Sequence, residues 1–275
     1  MKSLLFSNPG IPLSTLPRNT LNGVKRVREL GLDGMELEFV QNVNVNADLA
    51  PEIRKVAEEL NVLLTCHGQY YVNLASLEPA KVHASINRMV SAARRLHECG
   101  GWSATWHFGF YLGRPKDKVY DLIKKGAKEV VSKLKEHGVS VWVRPETTGK
   151  ATQWGDLQET IKLSQDVEQV LPCVDFSHLH ARIGNNNSFE EFCGMLSQIE
   201  KGLGKVALEN MHVHCSGINY GPKGERNHLN LEDSDMRWRD LLKAFKEFKV
   251  KGVVVAESPN IERDALLLKR TWSKL

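Results

Sequence analysis

No CxxC pair occurs among the five cysteines of this 275-residue chain (Cys66, Cys99, Cys173, Cys193 and Cys215). An odd, scattered set argues against a disulfide framework and fits a reducing compartment. The chain also lacks any run of ~18 apolar residues, so no membrane-spanning helix is expected. The opening Met1-Lys-Ser-Leu-Leu-Phe run is too short for a secretory leader and has no small-residue cleavage site, so the expected setting is cytoplasmic. No GxGxxG or GxxxxGKS/T follows an apolar run, which removes the usual phosphate cradles of nucleotide-binding sheets. Low-complexity segments and linkers are missing too, and residues 1–275 read as one domain, expected to be a monomer. The net charge of +4 permits an anionic partner without requiring one.

What is present is an alternation. Apolar runs of strand length recur eight times, at Ser3–Ser7, Gly34–Phe39, Val62–His67, Ser103–His107, Ser140–Pro145, Pro172–Asp175, Val206–His214 and Gly252–Ala256. Between them lie amphipathic segments, including Asp48–Leu60, Ala80–Cys99, Lys116–His137, Leu157–Glu168, Asp235–Phe248 and Glu262–Leu275. Alternating β and α elements imply a parallel sheet with right-handed crossovers. Eight such units favour closure into a (β/α)8 TIM barrel, whose chemistry sits on the loops after the strands.

Those strand ends are dense in imidazoles and carboxylates. They carry His67, His107, Glu146, Asp175 with His178, His212 with His214, and Glu257 in turn, with Glu225 and His228 in the loop after the seventh. His212 and His214 are two apart and so share one face of a strand. Carboxylates this close would repel one another unless cations or protons intervene. The mixed nitrogen and oxygen set suits Zn²⁺, with Mn²⁺ or Fe²⁺ as alternatives. His83, His97 and His137 lie on helices and receive no role.

Taken together, His67-Gly-Gln-Tyr-Tyr-Val-Asn-Leu74, His107-Phe-Gly, Pro145-Glu-Thr-Thr-Gly149, Val174-Asp-Phe-Ser-His178, Met211-His-Val-His-Cys-Ser216 and Ala256-Glu-Ser-Pro259 resemble endonuclease IV. This is the apurinic/apyrimidinic endonuclease family built on a xylose isomerase-like barrel. The resemblance implies a phosphodiesterase with two or three zinc ions that cuts double-stranded DNA on the 5′ side of abasic sites. It further implies a first zinc on His67, His107 and Glu146, and a second on Glu146, Asp175, His212 and Glu257. Glu146, shared by both, would be the catalytic carboxylate. A third zinc would use His178, His228 and a carboxylate. The family places an aspartate two residues before the last histidine, where this chain has Arg226. Either a longer loop brings Glu225 in beside His228, or Glu225 and Asn227 fill the two positions and leave the site one imidazole short. Tyr70 stands where the family places a tyrosine that enters the base stack. His180 and His214 exceed the family pattern and would be supporting or substrate contacts.

Cations bridged by Glu146 would favour an in-line displacement at phosphorus. Arg114, Lys116, Lys150, Arg182, Lys223 and Arg226 fall in the same loops, where they could neutralise phosphates, Arg226 being the DNA contact beside the third site. The competing reading is a sugar isomerase or keto-sugar epimerase, with one metal on Glu146, Asp175, His212 and Glu257 and with Glu36 or Glu38 as proton carriers. The extra histidines are unnecessary for that chemistry. A barrel that binds metal or DNA without turnover is the remaining alternative.

Overall fold

A strand such as Gly252-Val-Val-Val-Ala256 has no polar face to offer water, so it must be covered on both sides. In a computed structural model, which describes residues 1–275, all five of its residues are buried. The strands are β1 (Leu4–Pro9), β2 (Gly34–Glu38), β3 (Leu63–His67), β4 (Ser103–Trp106), β5 (Trp142–Pro145), β6 (Cys173–Asp175), β7 (Met211–Cys215), β8 (Gly217–Gly221), β9 (Gly224–Leu229) and β10 (Gly252–Ala256). The helices are α1 (Thr20–Glu29), α2 (Ala50–Leu60), α3 (Pro79–Glu98), α4 (Lys116–Glu136), α5 (Leu157–Asp166), α6 (Phe176–Ile183), α7 (Phe189–Leu203), α8 (Lys205–Leu208), α9 (Trp238–Glu247) and α10 (Glu262–Trp272).

Eight strands form one parallel sheet in the order β5-β4-β3-β2-β1-β10-β7-β6. Its two edges meet through the parallel bridges Val143–Val170 and Glu146–Cys173, which bring the sheet round into a nearly closed barrel. The expected (β/α)8 architecture is therefore the observed one, with two differences. Val206–Leu208, assigned above to the seventh strand, belong to the short α8 after Gly204, and β7 begins only at Met211. The stretch after β7, expected to be loop, is an antiparallel hairpin of β8 and β9 that pairs with no barrel strand.

Residues paired across a parallel sheet face the same side, so the register sorts the side chains. Outward residues such as Phe6, Met35, Leu64, Val213 and Val254 pack against the helices in the apolar core. The inward set is different. Glu36 pairs with Thr65, Thr65 with Ser103, Thr105 with Arg144, Cys173 with His212, and Asp175 with His214. Barrel interiors are ordinarily filled by branched aliphatic side chains. Here Glu36, Ser103, Arg144, His212 and His214, each at most 1% exposed, fill much of the lumen with polar and charged groups.

Candidate metal centre

The period of two along a strand places the last inward residue of each at the mouth of the barrel. His67 closes β3, Glu146 follows β5, Asp175 closes β6, and Glu257 follows β10. His107 stands one residue past β4, with 22% of its side chain exposed. His178, expected in a loop, lies in the first turn of α6, where Asp175 accepts its backbone N–H at 2.7 Å as the helix N-cap.

On β7 the residue at the mouth is His214, and this corrects the expectation for His212. His214 is the register partner of Asp175, and its Nδ1 lies 3.2 Å from both Glu146 Oε1 and Glu257 Oε2. His212 pairs with Cys173 instead. Two residues earlier means ~7 Å deeper in the barrel. There it meets Glu36 and Ser103 rather than the mouth carboxylates.

Ligand-type atoms approach closely enough to hold a metal ion in three groups at the mouth: His67, His107 and Glu146; Glu146, Asp175, His214 and Glu257; and Asp175, His178 and His228. Glu146 belongs to the first two and Asp175 to the last two. A fourth group, Cys173, His212 and His214, lies deeper.

Whether cations fit can be judged from the protons. His67 Nδ1 is 2.8 Å from Gly68 O, His178 Nδ1 is 3.1 Å from Thr147 O, and His228 Nδ1 is 3.0 Å from Glu257 O. A carbonyl accepts only, so in the neutral ring each of these nitrogens carries the proton and each Nε2 presents a lone pair. His178 Nε2 and His228 Nε2 nevertheless stand 3.2 Å apart, and His67 Nε2 stands 3.1 Å from Glu146 Oε2. Glu146 Oε2 and Asp175 Oδ2 are buried with no hydrogen-bond donor. Lone pair facing lone pair in a dry site calls for a cation or an extra proton, and the donor set fits borderline divalent ions.

In the metal-free protein the extra protons answer that call. Burial opposes a charge on His67, but Glu146 lifts its pKa to about 10. Burial likewise opposes ionisation of Glu146, yet His107 and His214 hold its carboxyl well below the usual range. Burial raises Asp175, with His178 opposing.

Glu225 and His228 are three apart, which in a regular strand would set them on opposite faces. Asn219 pairs with Asn227 and Tyr220 with Glu225, so Arg226 is the unpaired extra residue of a β-bulge. The bulge returns both side chains to one side. His228 meets His178 as described, and Glu225 Oε2 lies 3.6 Å from His178 Nε2. Asn227 is exposed, and its amide donates to His228 O. Of the two alignments left open above, His228 beside His178 is the observed one. Asp175 is the nearer carboxylate to that pair, with Glu225 just outside the group.

Tyr70 is 61% exposed at the rim, its ring 5.6 Å from that of His67. Leu16, Tyr71, Leu77 and Leu112 are exposed on the loops after β1, β3 and β4. Trp106, Phe108 and Trp154 are core residues. Arg182 is not free for phosphates: its guanidinium donates to the carbonyls of Thr148, Lys150 and Gln153 and fixes the loop after β5. Arg114 donates to Tyr111 O and Ala75 O, and Lys116 pairs with Asp156. Lys223 and Arg226 on the hairpin are exposed. His180 is buried on Asn185 O and Asp235, away from the mouth cluster. Glu36, which the nuclease reading left without a role, lies between His212 and His214. Its place in a strand reading Gly-Met-Glu-Leu-Glu was the available signal.

Several known proteins are similar to this chain in sequence or in structure. An uncharacterized protein of Methanocaldococcus jannaschii is 41% identical over 273 residues, covering 99% of this chain and 98% of its own. A probable endonuclease 4 of Oceanobacillus iheyensis is 27% identical over 235 residues, covering 77% and 75%. Among solved structures, endonuclease IV from Thermus thermophilus superposes with a TM-score of 0.74 at 18% identity, covering 97% of this chain and 98% of that one. A D-tagatose 3-epimerase-like protein superposes with 0.73 at 16%, covering 97% and 96%. At these identities the structural likeness speaks to the fold alone, and nuclease and epimerase names occur side by side. Residues 24–272 match the model of one family, and the chain belongs to it: the xylose isomerase-like TIM barrels.

Proposed function

We propose that this protein is a metal-dependent phosphodiesterase that nicks duplex DNA 5′ to abasic sites. The observation that carries this reading is the extent of the ligand set. Glu146, Asp175, His214 and Glu257 would be enough for the single metal of a sugar epimerase, yet ligand groups continue on both sides, through His67 and His107 and through His178 and His228. Cations held there, zinc or manganese, would supply Lewis acidity for attack on a phosphate and stabilise the leaving oxygen.

The chain's own residues do the rest. Glu146 and Asp175 span neighbouring groups and set their spacing. Tyr70 and the exposed leucines offer apolar surface to an unstacked base step beside the cluster. Lys223 and Arg226, exposed on the hairpin, would meet backbone phosphates. The test is an abasic duplex incubated with purified protein loaded with zinc or manganese. Strand scission 5′ to the lesion is expected, lost after exhaustive chelation. Epimerisation of a keto-sugar with an intact duplex would establish the other reading.

The hairpin carries its own prediction. Deleting Arg226 closes the bulge and leaves Glu225 and His228 two apart, still on one face. Elemental analysis should then find the same metal content as in the wild type. Replacing the imidazole itself, His228→Ala, should remove about one equivalent. Equal content in both variants would detach His228 from the centre.

A further inference from the structure

Each imidazole at the mouth needs its outer nitrogen held if its inner one is to point at a cation. For His67, His178 and His228 a main-chain carbonyl does this, as described above. His214 has no such carbonyl: its Nε2 lies at ion-pair distance, 2.9 Å, from a carboxylate oxygen, Glu36 Oε1, and neither atom has another hydrogen-bond partner. Both groups are fully buried. Glu36 is not close to the exposed mouth of the site and is itself fixed from behind. Thr65 Oγ1 donates to Glu36 Oε2 at 2.7 Å, and His212 Nε2 lies 3.1 Å from the same oxygen. His212 Nδ1 is in turn 3.1 Å from Ser103 Oγ, which accepts a hydrogen bond of 2.9 Å from Arg144 Nε. Arg144 is anchored through donation to Pro172 O and Asn210 O and lies beside the Trp102 ring, 5.0 Å from its centroid.

We propose that Glu36 is a positioning residue of the metal centre. It keeps the proton of His214 on Nε2, turns Nδ1 toward Glu146 and Glu257, and makes the imidazole a stronger donor, while the column Thr65–His212–Ser103–Arg144 holds Glu36 in place. The inference rests on the metal-centre reading and adds to it a group that touches neither cation nor DNA. A carboxylate behind a ligating imidazole raises its basicity, which is the effect assigned here to Glu36 on His214.

The test compares zinc affinity, by competition with a chromophoric chelator, in the wild type, Glu36→Gln, Glu36→Asp and Thr65→Val. Each is checked for folding by circular dichroism. Glu36→Gln should weaken one of the bound equivalents by about 10- to 100-fold and shift the visible bands of the cobalt-substituted protein. Glu36→Asp should recover part of the affinity, and Thr65→Val should lose a smaller part than Glu36→Gln. Wild-type affinity and spectrum in Glu36→Gln would overturn the proposal, as would a lower melting temperature of the metal-free form with no change in either. If Glu36→Gln does not fold, Thr65→Val decides, and unchanged affinity there counts against it. A wild type that takes up no cation overturns the centre itself and this inference with it, an outcome distinct from an unaffected variant.

Discussion

Glu146→Gln should reduce nicking of an abasic duplex by at least about 10³-fold, equivalent to about 4 kcal/mol of barrier. The size follows from where the side chain stands. Its Oε2 lies 3.1 Å from His67 Nε2 and 3.3 Å from His107 Nε2, and its Oε1 lies 3.2 Å from His214 Nδ1. One carboxylate therefore belongs to two ligand groups, and one substitution disables both. Glutamine has nearly the same volume, so packing is spared. It has no charge, and its amide N–H₂ would face lone pairs. Elemental analysis of the same sample should find fewer equivalents of metal, and the melting profile should report a folded protein. Undiminished nicking by this variant would separate the activity from the cluster.

The second large effect is on stability. Cations that bind only the folded state at about 1,000 times their Kd add roughly 4 kcal/mol. For a chain of this size exhaustive chelation should therefore lower the melting temperature by roughly 10 °C. Part of that loss is recovered by protons, and this sets the pH dependence. In the metal-free protein His67 is raised to about 10 against the opposing effect of burial, and His178 and His214 are raised well above ordinary imidazole. Such groups stabilise the fold fully below their unfolded pKa and lose that contribution as pH climbs through the folded value. Glu257 runs the other way: burial opposes its ionisation, but His214 holds it at about 2, so its contribution persists above the ordinary carboxylate range and fades as pH falls toward 2. Cations must displace the imidazole protons. Metal uptake should thus release protons, and the gap in melting temperature between loaded and stripped protein should widen from pH 6 to pH 8. Titration calorimetry in buffers of different ionisation enthalpy measures the release directly, and none at neutral pH would contradict the assigned protonation.

The strand–helix alternation was legible because a buried parallel strand and an amphipathic helix leave different periods in a sequence. The mouth residues Glu146, Asp175 and Glu257 were legible for a related reason, each standing at the end of an apolar run. His212 and His214 show where such reading stops. A period of two tells which face a residue occupies but not which layer, and the layer was decided by where β7 pairs with β6 and β10. A start at Val206 blurred the strand, since Val206–Leu208 carry the same residue types whether helical or extended. The hairpin was missed although Gly221-Pro-Lys-Gly224 is a turn signal between two short runs. Its bulge at Arg226, and the tethering of Arg182 by carbonyls, depend on contacts with distant chain that no local pattern encodes.

The ribbon formed by β8 and β9 shares no ladder with the barrel wall. Yet it delivers His228 to a cavity otherwise furnished by the wall strands and the first turn of α6. Such an appendage can be exchanged without re-registering a single wall strand. Loss or replacement of His228 is thereby uncoupled from the folding of the scaffold, because the other two ligand groups at the mouth contain no ribbon residue.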